Sequence, residues 1–338
     1  MKTNDGLKEA IQLFGEGKFS EAKALFSSYF DRNQKSAEAA LYMGRICIVE
    51  DALDDGIDWL EKAVTLDDNS STNHYWLGIA YGRKAQKAGV LKKPGLAKNM
   101  KKEVLRAIEL DPNNLDARLA LLQYYLYAPG IMGGSKEKAL EQAEEIKTRN
   151  SARGYSAFGL IHEHAKAYDL AEKAYLAAVS EEPEKVEHTY QLGYFYQRIE
   201  RLDKALQTYQ SVLEKYPKES KAYYQLGYVY RELGQYDDAI KTYESLLTQN
   251  PEETNAYYYM GTAGTLLGTH LDRAEEYLLK YLQLLTPEKN SSKAWGHYRL
   301  GIVYEKQGKK DLAKREYQVA LSFDSKHEEA MKALKNLE

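Results

Sequence analysis

Apolar side chains recur three and four residues apart along the chain, in runs of about a dozen residues that favour amphipathic helices. In one such run Tyr223, Leu226 and Tyr230 share one helical face. Gly234 predicts the end of this helix, because glycine readily adopts the left-handed conformation that follows a helix. Pro251 predicts the end of the next helix, since proline lacks the N–H that a helix interior needs. The pattern therefore predicts a pair of helices joined by a short turn.

This helix pair repeats along the chain with a period of 34 residues. Two residue types keep the period independently of each other, with prolines at Pro183, Pro217 and Pro251 and glycines at Gly193, Gly227 and Gly261. A single helix pair cannot bury its apolar face alone, so consecutive pairs are expected to stack.

The repeat resembles the tetratricopeptide repeat family, whose unit has this length and places Leu-Gly, aromatic, Ala and Pro residues at fixed positions. The unit that matches best supplies Tyr223, Leu226, Gly227, Tyr230, Gly234, Tyr236, Ala239, Tyr243, Leu246 and Pro251. The resemblance implies an all-α fold, an α-solenoid wound as a right-handed superhelix. We expect one solenoid over residues 1–338, with about nine hairpins and a capping helix at 328–337. The predicted units are 3–36, 37–70, 71–114, 115–151, 152–185, 186–219, 220–253, 254–288 and 294–327.

The resemblance also implies where a binding site lies, since family members direct side chains at positions 5, 9 and 12 of each unit into a concave groove. Tyrosine dominates these positions between about 190 and 305. Tyrosine suits peptide recognition, because it offers a rigid apolar ring and one hydroxyl at low entropic cost. For any single tyrosine, packing between neighbouring helices is an equal alternative. The peptide-binding candidates are Tyr190, Tyr194, Gln197, Tyr224, Tyr228, Arg231, Tyr258 and Tyr298.

One known peptide-binding mode of the family does not fit. Members that clamp the C-terminal carboxylate of chaperones carry Lys at position 5 and Asn at position 9 of a first unit. No unit here has Lys at position 5 or Asn at position 9. The groove is therefore expected to bind protein or extended peptide by other contacts.

The insertion at 83–102 is basic and contains no acidic residue. It could bind an anionic partner, such as an acidic protein, nucleic acid or lipid headgroups. The alternative is a solvated extension of two helices, which we prefer because no aromatic residue alternates with the charges. An acidic stretch at 50–58 precedes the insertion and can partly neutralise it. The basic residues are Arg83, Lys84, Lys87, Lys92, Lys93, Lys98, Lys101 and Lys102.

The second insertion, at 128–136, is glycine-rich but is not a phosphate-binding loop. In such a loop a strand precedes the motif and Lys precedes Ser or Thr, whereas here Lys136 follows Ser135 and helices flank the segment. Ile131 and Met132 either fold back to plug the solenoid, which we prefer, or form an exposed hook for a partner. The sequences HYWLGIAYGRKAQ and APGIMGGSKEKA resemble a bacterial tetratricopeptide subfamily that often carries export signals.

Composition narrows the class of protein. The chain of 338 residues is 43% hydrophobic, which excludes intrinsic disorder, and its net charge of −3 gives no global reason to expect nucleic acid or an anionic membrane as the main partner. No run of about 20 apolar residues predicts a membrane span. The N-terminus has no apolar signal-peptide core, so we expect a cytoplasmic protein, the alternative being a periplasmic protein whose signal has been removed.

Candidate catalytic and metal-binding groups are not recognisable. His162 and His164 are two residues apart on a helix and so face different sides, which excludes a shared metal site. Cys47, the single cysteine, falls on a buried stripe. The sequence therefore predicts a non-enzymatic scaffold without cofactor or metal, whose oligomeric state it does not define. The alternatives are a structural subunit of a larger assembly and an anionic-partner binder acting through 83–102.

Overall fold

The computed structural model describes residues 3–286 and 289–337, and all regular secondary structure in this part is helical. The chain divides into two compact units, Met1–Glu182 and Pro183–Glu338. Consecutive helices pack as antiparallel hairpins, and each hairpin stacks on the next within its unit. The predicted all-α class and its α-solenoid architecture are confirmed, whereas one continuous solenoid over 1–338 stays a prediction.

The first unit contains ten α-helices and one 3-10 turn within its described residues. The helices are α1 (Thr3–Gly15), α2 (Phe19–Arg32), α3 (Ala37–Val49), α4 (Leu53–Leu66), α5 (Ser71–Lys87), α6 (Lys93–Leu110), α7 (Leu115–Tyr127), α8 (Lys136–Arg149), α9 (Ser151–His164) and α10 (Tyr168–Glu181), with the 3-10 turn at Gly130–Met132. The basic insertion lengthens α5 and α6, so most of it is helical.

The second unit contains four hairpins and a terminal helix in the described part of the chain. They are α11 (Val186–Arg198), α12 (Leu202–Lys215), α13 (Ser220–Glu232), α14 (Tyr236–Gln249), α15 (Thr254–Leu267), α16 (Leu271–Leu284), α17 (Asn290–Lys306), α18 (Lys310–Phe323) and α19 (Glu328–Leu337). Helix α17 begins four residues before the predicted unit start at Ala294. The last two residues of predicted unit 254–288 lie outside the described residues.

In seven of the nine described hairpins, a glycine of the first helix faces a larger apolar or aromatic side chain of the second helix. A Cβ added to Gly227 would lie 2.3 Å from the ring of Tyr243, which is 3% exposed. The same arrangement pairs Gly193 with Tyr209 and Gly301 with Tyr317. Since glycine alone leaves room for the ring, the repeated Leu-Gly pair fixes how closely the two helices approach.

The 3-10 turn shows that one prediction was wrong. Ile131 is 96% exposed, so its side chain does not plug the solenoid. The turn is held instead by its backbone, since the hydroxyl of Tyr124 donates to the carbonyl of Met132. Gly133 takes a left-handed conformation at φ 88°, which turns the chain towards α8.

Candidate functional site

The first helices of the hairpins in the second unit line two adjoining pockets. The first pocket has a volume of about 520 Å³ and lies mainly between α11 and α13. Its walls are formed by Tyr194, Gln197, Arg198, Tyr224, Gln225, Tyr228, Arg231, Tyr243 and Tyr259.

The second pocket has a volume of about 450 Å³ and lies mainly between α15 and α17. Arg231 and Tyr259 line both pockets, which therefore adjoin each other; together they are called the tyrosine groove below. The remaining walls of the second pocket are Asn255, Tyr258, Thr262, Tyr281, Ser291, Ser292, Trp295 and Arg299.

A chain of touching rings forms the floor of the groove. Tyr259 contacts Tyr224 with 5.4 Å between ring centroids, Tyr243 with 5.6 Å and Tyr258 with 5.5 Å. Tyr258 continues the chain to Tyr281 at 5.2 Å. Because each ring restrains its neighbours, the groove presents a preformed aromatic wall that loses little side-chain entropy when a ligand binds.

Tyr224 is oriented by a hydrogen bond at its hydroxyl. This hydroxyl donates to Glu253, 2.8 Å away, at the N-terminal end of the next hairpin. Burial, followed by the bond to Glu253, raises the pKa of Tyr224 above its ordinary value. The phenol therefore stays neutral at physiological pH and offers mainly its ring to the groove.

Six of the eight predicted peptide-binding residues line the groove: Tyr194, Gln197, Tyr224, Tyr228, Arg231 and Tyr258. The other two do not line either pocket. Tyr190 is only 3% exposed, and its hydroxyl donates to Glu219 at 3.0 Å. Tyr298 packs against Trp295 and His327, at 5.7 and 5.1 Å between ring centroids.

Sequence reasoning missed several groove residues, and their spacing carried a usable signal. Gln225, Tyr259 and Arg299 occupy position 6 of consecutive units, and Asn255 and Trp295 occupy position 2. Positions 2 and 6 are four residues apart, so they form a further strip on the same helices. The prediction considered only positions 5, 9 and 12 and therefore described too narrow a surface.

The groove carries positive charge. Its walls include Arg198, Arg231 and Arg299, and no Asp or Glu occurs among the described residues that line the two pockets. The guanidinium of Arg231 lies 4.9 Å from the centre of the Tyr228 ring. This is a cation–π contact that holds the arginine at the groove wall.

Gln197 has an unused donor at the edge of the groove. Its Oε1 accepts a hydrogen bond from the hydroxyl of Tyr209 at 2.9 Å. Its Nε2 is buried and has no hydrogen-bond partner in the described part of the protein. A buried donor without an acceptor costs about 1–3 kcal/mol.

Several residues of the basic insertion contact other residues of the protein. Lys84 and Lys87 form ion pairs with Asp54 and Asp51. The side chain of Lys102 lies 3.1 Å from Glu103, which is itself buried and bonded to His74 at 2.7 Å. Lys101 lies over the rings of Tyr124 and Tyr125, at 5.3 and 5.2 Å. Arg83 donates to the carbonyl of Ile48 at 3.3 Å.

Metal-binding clusters are absent from residues 3–286 and 289–337: no three His, Cys, Asp or Glu side chains there could hold an ion. Burial raises the pKa of the Cys47 thiol, which is 2% exposed. Helices long and apolar enough to cross a bilayer do not occur in the described part either.

Comparison with known proteins identifies the repeat. Tetratricopeptide repeat models match residues 157–220, 200–263 and 296–327. The chain is a tetratricopeptide repeat protein. A further model, described as regulator of microtubule dynamics protein 1–3, matches residues 8–128. No curated protein sequence is significantly similar to this tetratricopeptide repeat protein.

Solved structures share the fold with this tetratricopeptide repeat protein at low sequence identity. Yeast Tom70 is 15% identical with a TM-score of 0.57, over 99% of this chain and 81% of its own. A thermophilic repeat protein of Thermus thermophilus is 16% identical with a TM-score of 0.50, over 58% of this chain and 99% of its own. The C-terminal part of a repeat protein from Cytophaga hutchinsonii is 16% identical with a TM-score of 0.50, over 75% and 98%.

Proposed function

We propose that this protein is a non-enzymatic scaffold that binds an extended peptide segment of a partner protein in the tyrosine groove. Tetratricopeptide repeat proteins generally bind proteins or peptides, and the groove is where this chain offers the matching chemistry. The observation that carries the proposal is the pair of adjoining, tyrosine-lined pockets along α11, α13, α15 and α17.

The groove combines the two kinds of contact that an extended peptide needs. Its rings cover apolar side chains of the ligand, with the exposed face of Tyr228 most accessible. Its amides, Gln225 and Asn255 among them, can pair with the N–H and C=O groups of a peptide backbone. A strand-like ligand extends by about 3.3 Å per residue, so each pocket takes only a few residues of it.

The lining favours binding over catalysis. Among the described lining residues there is no His, Cys, Asp or Glu to serve as nucleophile or general base. Tyr224 and Tyr243 have pKa values raised by burial, which makes them poorer proton acceptors at neutral pH. A role as a scaffold therefore fits the groove better than a role as an enzyme.

Substitution of Tyr228 by alanine tests the proposal. This ring is 40% exposed and bears no hydrogen bond that supports the fold, so we expect folding to survive and peptide affinity to fall by about tenfold. Peptides would be selected from a random library displayed on phage, and their dissociation constants measured by calorimetry on both proteins.

Tyr127→Ala is the matched control, since this exposed tyrosine lies in the first unit, outside the groove. The selected peptides should bind this variant like wild type. If they bound Tyr228→Ala equally well, or if the library yielded no binder, the groove would not be the peptide site.

The basic insertion supports a second candidate function, association with an anionic lipid bilayer. Lys92, Lys93 and Lys98 are exposed and make no ion pair within the described part of the protein. Beside them Val90 and Leu91 are 87% and 97% exposed. Lysines around a protruding apolar pair match the charged headgroups and the apolar boundary of such a membrane.

A further inference from the structure

We propose that the peptide bound in the tyrosine groove is acidic, and that one of its carboxylates is received by Gln197, Arg231 and Tyr243. This inference rests on the proposed function and adds the chemical class of the ligand. All three side chains line the first pocket, and each carries a hydrogen-bond donor: the guanidinium of Arg231, the hydroxyl of Tyr243 and the buried amide of Gln197.

The repeat shows why Arg231 is unusual. In three other hairpins the tyrosine of the second helix donates to an acceptor on the first helix, twelve residues before it. The pairs are Tyr175 with Glu163 at 3.0 Å, Tyr209 with Gln197 at 2.9 Å and Tyr317 with Glu305 at 2.8 Å.

In the hairpin of α13 and α14 the equivalent first-helix residue is Arg231, which has no acceptor atom. The hydroxyl of Tyr243 consequently makes no hydrogen bond to any described residue, although the ring remains 3% exposed. This hairpin therefore gives up an internal bond and gains a cation and a free hydroxyl at the groove wall. The internal bond that the other three hairpins keep is therefore absent here, and its two side chains remain available to a ligand.

Gln197 adds a second unsatisfied donor to the same pocket. Its Nε2 is buried and unpartnered, whereas its Oε1 is occupied by Tyr209. A carboxylate can accept several hydrogen bonds at once, and bonds from a guanidinium to it are among the strongest in proteins. One carboxylate would thus satisfy donors that the fold leaves unused.

The surrounding charges favour an acidic ligand along the whole groove. Arg231 has one ion pair within the described residues, to its exposed neighbour Glu232 at 3.2 Å. Arg299 makes no ion pair in the described part of the chain and lies 5.6 Å from the centre of the Tyr298 ring. With no acidic wall to oppose them, the groove arginines attract a segment that carries carboxylates at more than one position.

A polyanion such as nucleic acid fits less well. Three arginines spread along two pockets supply few phosphate contacts, whereas they are sufficient for a few isolated carboxylates. An acidic peptide is therefore the occupant that the groove favours.

The test uses three synthetic pools of amidated peptides about ten residues long, built from the same apolar and polar residues. One pool also contains Asp and Glu, one contains Lys and Arg, and one has no charged side chain. We expect the full-length protein to bind the acidic pool at least about tenfold more tightly than the neutral pool, and the basic pool most weakly.

Arg231→Gln should lower the affinity for the acidic pool by about tenfold and change the affinity for the neutral pool by less than about twofold. Arg273→Gln is the control, because it removes the same charge from the same unit at α16, outside the groove. This control should change neither affinity. Circular dichroism would confirm that both variants keep the helical fold.

Gln197→Glu is a second variant, and we expect it to keep the fold. It places at α11 the carboxylate that α9 and α17 already use to bond their tyrosines, through Glu163 and Glu305. The bond to Tyr209 is kept, but the free donor becomes a negative charge. Affinity for the acidic pool should fall at least about tenfold.

The outcomes separate the two proposals. If the neutral pool bound as tightly as the acidic pool and lost affinity with Tyr228→Ala, the groove would bind peptides but not acidic ones. If no pool bound, both proposals would fail. If a single-stranded oligonucleotide displaced the acidic pool and depended equally on Arg231, the ligand would be a nucleic acid and the acidic-peptide inference would be overturned.

Discussion

At the scale of single residues, the fold depends on a close contact between a glycine and an aromatic ring. Gly227 has no side chain to oppose Tyr243, and Gly159 leaves the same space for Tyr175. Both tyrosines are buried at 3% exposure, so the rings fill the contact fully. A methyl group at either glycine would have to displace a ring that its neighbours hold in place.

Gly227→Ala should therefore destabilise the protein by about 1–3 kcal/mol, because overpacking forces the ring or the helix to move. The free energy of unfolding, measured with urea, would show the effect. Gly95→Ala in α6 is the control, since a Cβ there meets nothing within 4 Å. That variant should be unchanged or more stable by up to about 1 kcal/mol, and equal losses in both variants would contradict the packing argument.

At the scale of elements, one hairpin of the first unit differs from the others. Helices α5 and α6 extend beyond their neighbours and end in a short connection whose apolar residues Val90 and Leu91 are exposed. The hairpin is anchored further down by the buried bond between His74 and Glu103. The end of this hairpin, which carries both lysines and exposed apolar side chains, is suited to contact a surface outside the repeat.

Binding to phospholipid vesicles tests this role. The protein should sediment with phosphatidylcholine vesicles that contain about 30% phosphatidylserine, and much less with phosphatidylcholine alone. A rise in salt from about 50 to about 200 mM should release it. Replacement of Lys92 and Lys93 by glutamine should lower the bound fraction several-fold, and Leu91→Ser should do the same without a change in charge.

Lys84→Gln with Lys87→Gln is the matched control for charge, since these lysines are already neutralised by Asp54 and Asp51. Their replacement should lower the fraction of protein bound to vesicles less than replacement of Lys92 and Lys93 does. Equal binding to neutral and anionic vesicles would argue against the bilayer as partner.

At the scale of the whole molecule, buried tyrosines recur in both units. Tyr175 in the first unit and Tyr209, Tyr243 and Tyr317 in the second are each less than 4% exposed. Burial raises the pKa of Tyr209, Tyr243 and Tyr317 above the ordinary value of 10.0, and it raises that of Tyr304 to about 12. These phenols therefore lose their protons at a higher pH in the folded protein than in the unfolded chain.

Because these folded-state pKa values exceed the unfolded value, their contribution to stability is complete below about pH 10 and is lost as pH rises above it. Urea unfolding should give a constant free energy near pH 8 and a falling one above about pH 10. Ultraviolet titration should show a set of tyrosines that ionise only as the protein unfolds.

Tyr304→Phe should reduce this alkaline loss, since Tyr304 donates to Glu275 at 3.1 Å and the variant has no phenol to ionise. Glu275 keeps Gln307 as a partner at 3.0 Å, so the carboxylate stays paired. Ionisation of every tyrosine near pH 10 with the fold intact would contradict the prediction.

The helices, the hairpins and the family can be predicted from the sequence, because the glycine, alanine, aromatic and proline positions are set by contacts inside one repeat. Those contacts are local, so a period of 34 residues reports them directly. The sequence also predicts that Tyr224, Tyr228 and Arg231 lie on the face where the groove is found.

Which of these side chains remain accessible depends on how the helices of different repeats pack together. Tyr190 and Tyr228 both occupy positions that the repeat assigns to the groove, yet one is 3% and the other 40% exposed. The tertiary structure also revealed the unpartnered amide of Gln197 and the absence of acidic walls along the described groove. Exposure and charge at these sites arise from helices of different repeats, and the pattern within one repeat carries no information about that packing.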